Sequence, residues 1–299
     1  MDPENARTRA RIWSYQQLAA QALQKMVAIG ERHGIPILPV KGVVSARLYY
    51  DDVSERPMQD VDVRVTPTDL AELRRLAPRE GLKVIHDSPA YENLVFDAGG
   101  IMVEVEAHLG PRGVCAITIE ELFARAATRE STFGFRAIEP ELHDHALVLV
   151  VNAFKDKLVD AMPWALRDLA RVVQQPAFEV EQFADRARRG RVTSLVWVVA
   201  SFLIAQASSS PELPTGEANA VARWQEIRAV MAPPRRRYAE WMLTTLLAAA
   251  RNPPSFLDRN ALRLGARAAS DSRRGRALAL AVMARRGAER ALGIGLELE

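Results

Sequence analysis

The chain has a single cysteine in 299 residues, Cys115. That excludes an internal disulfide and any metal site built from cysteine alone, and it fits a reducing, cytoplasmic setting. Long hydrophobic runs are also lacking. The longest apolar stretch, Leu195 to Ala205, contains Ser201 and is too short to span a bilayer. No secretory leader is expected, since Met1-Asp2-Pro3-Glu4-Asn5 is polar and the residues after it alternate charge with apolar side chains. Internal repeats are absent. What is present is an apolar fraction of 48% in a chain long enough for one large domain or two ordinary ones, the composition of a globular protein with a real core.

Charge is small in sum, +3, and uneven in placement. Residues 1–150 hold 17 Lys/Arg against 22 Asp/Glu, and residues 151–299 hold 23 against 15, so the second half is the basic one. Nine arginines stand between Arg259 and Arg290 beside two acids. Such a run meets phosphate, nucleic acid or an acidic partner, or simply forms a solvated helix face. No aromatic residues are interleaved with it as a stacking platform requires, so nucleic acid is not the favoured partner.

Periodicity divides the chain in the same way. Arg7 to Arg32 repeats apolar residues at helical spacing and stops at His33-Gly34. Residues 35–40 are short and β-rich, Lys41-Gly42 opens a helix over 43–50, and Asp60 to Val65 reads as a strand. Thr66-Pro67-Thr68-Asp69 caps a helix over about Leu70–Glu80. Further strands are predicted over 81–85, 92–96 and 101–108, with Gly99-Gly100 as a hairpin turn. After about Pro140 strand signals cease, and helical periods run on with breaks at Pro163, Pro176, Gly190, Ser208–Pro214, Pro233-Pro234 and Pro253-Pro254. The expected fold is α+β: a small mixed sheet with flanking helices in residues 1–139, then an all-α helical domain in residues 140–299.

An ordered set of charges stands on the predicted sheet. Side chains alternate along a strand, so Asp60 and Asp62 share a face with Cα atoms about 7 Å apart. Carboxylates at alternate positions among Val61, Val63 and Val65 are unfavourable unless a cation compensates them. A divalent metal does so, and Mg²⁺ (or Mn²⁺) typically takes one or two protein carboxylates plus substrate phosphates. Glu104 and Glu106 occupy alternate positions of a later strand, and either supplies a third ligand that would let two metals be held. At the strand–helix junction, Gly42 lets the backbone approach a ligand and the following amides suit an anion. Lys41 adds a compact charge there and Arg56 a planar fork. His108 shares the face of Glu104 and Glu106, where it either contacts phosphate or serves as a hydrogen-bonded structural histidine. Lys155 and Lys157 follow an apolar helical run and meet either substrate phosphate or the negative end of a helix. His143 and His145 diverge if helical, which argues against zinc.

The segment Leu38-Pro39-Val40-Lys41-Gly42-Val43-Val44-Ser45-Ala46-Arg47-Leu48-Tyr49-Tyr50-Asp51-Asp52, continuing through Arg56-Pro57-Met58-Gln59-Asp60-Val61-Asp62-Val63, resembles a poorly characterised bacterial nucleotidyltransferase family of the DNA polymerase β-like superfamily. In that family a Lys-Gly replaces the usual Gly-Ser, and an arginine precedes the metal-binding Asp-x-Asp. Val105-Glu106-Ala107-His108 is similar to its third-acid strand. Asn152-Ala153-Phe154-Lys155-Asp156-Lys157, with Trp164 and Asp168-Leu169-Ala170, is similar to its helical region. The resemblance covers about residues 8–200. It implies Asp60 and Asp62 as metal ligands, Glu106 as the third metal-binding and catalytic acid, and Lys41 and Gly42 as triphosphate contacts. Two departures stand out: Glu where Asp is commoner at the third acid, and the missing serine hydroxyl.

The function so implied is metal-dependent transfer of a nucleoside monophosphate from a nucleoside triphosphate to an acceptor, with pyrophosphate released. The acceptor is a small molecule, a peptide or a protein, and no membrane partner is expected. Two alternatives use the same pocket: a noncatalytic nucleotide- or peptide-binding accessory protein of a biosynthetic cluster, and a kinase-like transfer of the terminal phosphate.

Overall fold

Residues 3–130, 132–158, 160, 162–209, 218–252 and 254–291 are described by the computed structural model. They fold as α+β, a mixed five-stranded sheet with helices followed by an all-helical region, as the periodicities predict. The chain forms two units. The first comprises the residues up to His108, then Thr118–Glu141, then the chain from Val282 onward, and the second comprises Leu109–Ile117 and Leu142–Ala281.

In the first unit, helix α1 (Pro3–His33) places Ala19, Ala22, Leu23, Met26 and Ile29 on one buried stripe, and Gly34 at φ 68° turns the chain out of it. Strand β1 (Leu38–Val40) leads through Lys41 into α2 (Gly42–Leu48), and strand β2 (Asp60–Arg64) follows. Helix α3 (Pro67–Leu76) starts where predicted, with the Thr66 hydroxyl accepting from the Asp69 amide. It stops four residues short of Glu80, because Pro78 lacks the N–H a further turn needs and Gly81 at φ 64° reverses the chain.

Strands β3 (Lys83–Ser88), β4 (Asn93–Asp97) and β5 (Met102–Glu106) complete the sheet in the order β1-β2-β5-β4-β3. Gly99 and Gly100, at φ 87° and 88°, turn β4 into β5 as their residue types require. Only β2 and β5 are parallel; every other pair is antiparallel. Val61, Val63, Val103, Val105, Leu94 and Phe96 line one face and join side chains of α1, α2 and α3 in a single buried cluster. The charged residues occupy the opposite face. A helix, α4 (Ile119–Arg125), and a ribbon of β6 (Ala127–Arg129) and β7 (Ala137–Glu139) follow. The ribbon strands are three residues each, too short for an alternating pattern to announce them.

The second unit is built from α5 (Leu142–Asn152), α6 (Pro163–Val172), α7 (Val180–Arg189), α8 (Thr193–Ser209), α9 (Ala218–Val230), α10 (Arg236–Arg251), α11 (Phe256–Arg267) and the first half of α12 (Arg273–Ala291). Residues 210–217, which overlap the break predicted at Ser208–Pro214, lie outside the described residues, as does Pro253. The Leu195–Ala205 run is the core of α8, and no helix among the described residues is long and apolar enough to cross a membrane. Asp271 caps α8 from far along the chain, accepting from the Thr193 hydroxyl at 2.6 Å and from the Ser194 amide. His143 accepts a hydrogen bond from the Glu179 amide at 2.9 Å, a structural role. Several arginines of the basic run are engaged internally: Arg259 and Arg263 with Asp160, Arg276 with two backbone carbonyls, and Arg285 and Arg286 with Glu289.

Tyr238 offers a test of this helical packing. Its hydroxyl donates to the Gly265 carbonyl at 2.5 Å, and burial, partly opposed by the Arg235 guanidinium, pushes it up to about 12 from 10.0. The unfolded chain releases this proton first, so stability is expected to fall as pH rises from 10.0 toward about 12. Tyr238→Phe should remove one late phenolate transition from an ultraviolet titration and lower stability at neutral pH by about 1 kcal/mol. A titration curve unchanged by the substitution would place the buried phenol elsewhere.

Candidate active site

The charged face of the sheet follows from register. Because β2 and β5 run parallel, Asp62 lies opposite Glu104 and Arg64 opposite Glu106, with Asp60 one step earlier opposite Met102. Alternation then puts Asp60, Asp62, Arg64, Glu104 and Glu106 on one side, and β1 delivers Lys41 just beyond Val40, the partner of Asp62.

The carboxylates that converge are Asp60, Asp62 and Glu104, each offering an oxygen within 4.8 Å of the others. Three hard oxygen donors that close are unfavourable without a cation and match the coordination of a small divalent ion, so the group can hold one. Asn93 fixes the third acid by donating to Glu104 Oε1 at 2.6 Å. Glu106, the acid expected to complete the set, sits one pleat further along. There its carboxylate is paired with Arg64, a guanidinium only 2% exposed. Residue spacing left Glu104 and Glu106 open and the resemblance pointed to Glu106; the register sets Glu104 opposite Asp62 and Glu106 opposite Arg64.

Lys41 reaches into the row of acids. Its Nζ lies 2.5 Å from Asp62 Oδ1, 3.6 Å from Glu104 and 3.9 Å from Glu106. Burial acts most strongly on this ammonium and favours deprotonation, but Asp62, Glu106 and Glu104 together outweigh it and hold the group well above the usual lysine value of 10.5. Its backbone has φ 57° and ψ −133°, a region L-residues rarely adopt. Next to it, a Cβ on Gly42 would meet the Arg56 guanidinium at 3.2–3.3 Å, so glycine allows that close approach.

Arg56 is therefore a wall of this corner, 3% exposed, donating to the Pro57 carbonyl while its own carbonyl accepts from Gln16 at 2.7 Å. Gln16 is fully buried on α1, and a lone glutamine on an apolar helix stripe gave no sequence signal for that role. Tyr15, one residue earlier, donates to the Gln59 carbonyl; burial and then the Asp60 charge raise its hydroxyl above the usual value. His108 is paired with Glu92, a residue at φ 50°. Lys155 and Lys157 belong to the second unit, in a π-helical turn Ala153–Lys157, with Lys157 Nζ 5.4 Å from the Trp164 ring centre.

The family described as "uncharacterised nucleotidyltransferase" matches residues 6–205 of this chain. No curated protein matches it. Among solved structures, the solution structure of the antibiotic-resistance factor ANT(2'')-Ia is similar over 76% of this chain and 96% of its own, at 16% identity and a TM-score of 0.36.

Proposed function

The chain belongs to this uncharacterised nucleotidyltransferase family, and from that premise we propose that it moves a nucleoside monophosphate from a nucleoside triphosphate to an acceptor oxygen. The acceptor oxygen bonds to the α-phosphorus, the bond from that phosphorus to the β-bridging oxygen breaks, and pyrophosphate leaves. The acceptor is a small molecule, a peptide or a protein bearing a nucleophilic hydroxyl.

The observation that carries this reading is the convergence of Asp60, Asp62 and Glu104 within 4.8 Å, with the Lys41 ammonium beside them. In this reading those three acids hold Mg²⁺ (or Mn²⁺), and when bound the ion offsets charge on the reacting phosphate and the attacking oxygen. Asn93 keeps the Glu104 carboxylate turned toward the aspartates. The acceptor's proton passes to a carboxylate of this cluster. Glu106 acts one step removed, tying Arg64 and Lys41 into the row. Gly42 and Arg56 form the corner against which the triphosphate lies, with His108 as a further candidate phosphate contact.

Incubation with triphosphate labelled at the α or the γ position, Mg²⁺ and a panel of acceptors tests the reading. Transfer of α label with matching pyrophosphate release is expected, and the Asp60→Ala/Asp62→Ala protein should lose it. Transfer of γ label would make the protein a phosphoryl-transferring enzyme. Thermal stabilisation by triphosphate with no pyrophosphate formed would make it a nucleotide-binding accessory. Equal pyrophosphate from both proteins would remove the aspartates from the mechanism.

A further inference from the structure

We propose that the second, helical unit carries a binding site for a small phosphate ester, in a basic cavity where three of its inter-helix corners meet. The site does not depend on the reading of Asp60, Asp62 and Glu104.

The corners are those between α7 and α8, α9 and α10, and α11 and α12. Backbone and side chains tie them together. The Asp271 amide donates to the Arg191 carbonyl at 2.8 Å, and the Arg235 guanidinium donates to the Ala268 carbonyl at 3.3 Å. Between them lies a cavity of about 400 Å³, a volume suited to a small organic ligand. The end of α9 and the turn after it line the cavity with Val230, Ala232 and Pro234, and the α7–α8 corner lines it with Arg188 and Arg191.

The single acid of the lining, Asp271, is committed to capping α8 through the Thr193 hydroxyl and the Ser194 amide. Arg188 is held by Asp185 at 2.5 Å, whereas Arg191 makes no hydrogen bond or ion pair among the described residues. An exposed arginine is ordinary by itself. One that lines a cavity beside a second guanidinium, with the only carboxylate of the lining engaged elsewhere, offers its donors to whatever enters. The helix starts around the cavity add to the positive field. Helix α10 opens on Arg235-Arg236-Arg237 and α12 on Arg273-Arg274, neither with an acid in its first turn, although guanidinium groups are unfavourable at the positive end of a helix. An anion seated among them offsets that cost. A phosphate ester meets both sides of the cavity: its oxygens accept from the guanidinium forks, and its organic part lies on the apolar residues.

Titrating phenyl phosphate into the full chain in metal-free buffer, followed by calorimetry, tests the site. Saturable binding is expected, tighter than that of inorganic phosphate or benzoate, and weakened about tenfold or more by Arg191→Gly and by Ala232→Glu. Glycine removes the guanidinium and suits the φ of 55° at that position, and Ala232 is exposed, so both proteins should fold. Absence of binding, binding unchanged in either variant, or inorganic phosphate held as tightly would overturn the proposal. Benzoate held as tightly would overturn phosphate as the ligand class. A single-stranded oligonucleotide bound in place of phenyl phosphate, with affinity falling steeply as salt rises, would overturn the small-ligand site in favour of a nucleic-acid surface.

Discussion

Glu104→Gln should lower nucleotidyl transfer by about 10²–10³-fold at an unchanged or slightly raised melting temperature, whereas Glu106→Ala should chiefly unfold the protein. The two acids stand on one strand, two residues apart, and differ only in their neighbours. Glu104 faces Asp60 and Asp62, so neutralising it relieves repulsion among carboxylates within 4.8 Å, and the amide oxygen of glutamine still accepts from Asn93. What it loses is one anion of the proposed metal site, which also stands 3.6 Å from the Lys41 ammonium. Glu106 compensates Arg64, which is 2% exposed and has no water to turn to. Removing one partner of a buried pair leaves an uncompensated charge and costs about 3–5 kcal/mol. Denaturant melts read the stability and labelled-nucleotide transfer per folded molecule reads the chemistry. A Glu106→Ala protein of normal stability and no activity, beside an active Glu104→Gln protein, would exchange the two roles.

The division between these acids marks where one-dimensional reading stops. The strand Asp60–Arg64 was legible because period-two alternation sets Val61 and Val63 on the face of the apolar core and the aspartates on the other. The Gly99-Gly100 turn and the Thr66 cap were legible because each needs particular residue types at particular positions. The pairing of β2 with β5 is not local. The two strands are joined through α3 and the β3–β4 pair, and nothing along the chain states that Asp62 meets Glu104 and Arg64 meets Glu106. Arg64 drew no notice for the same reason, since its partner is set by that register. Arg56 and Lys41 read as phosphate-facing cations from their types. Their burial, and the attachment of the Arg56 segment to Gln16 of α1, exist only once α1 is folded over the sheet. The handedness of the Lys41 backbone is a further property that residue type concealed, because lysine gives no hint of a positive φ.

That handedness gives the second large effect. Lys41→Ala and Lys41→Gly both delete the ammonium, which holds Asp62 at 2.5 Å and stands near Glu104 and Glu106. Leaving those acids uncompensated is expected to cost about 3–5 kcal/mol in either variant. The variants differ in one other respect. Alanine keeps a Cβ at φ 57°, ψ −133°, and glycine does not. Backbone strain of this kind is worth about 1–3 kcal/mol, so the glycine protein should be the more stable of the two by that amount. The comparison is clean near neutral pH. The folded ammonium titrates above the unfolded value of 10.5, so its contribution is fully present below that pH and is lost only as pH rises beyond it toward the folded value. Mg²⁺ should raise the melting temperature of both variants more than that of the unsubstituted protein, because a divalent ion restores the charge balance the lysine supplied. Equal stability of the alanine and glycine proteins would show that the turn at Lys41 carries no strain, and an absent Mg²⁺ response would show that the acids it faces do not need a cation.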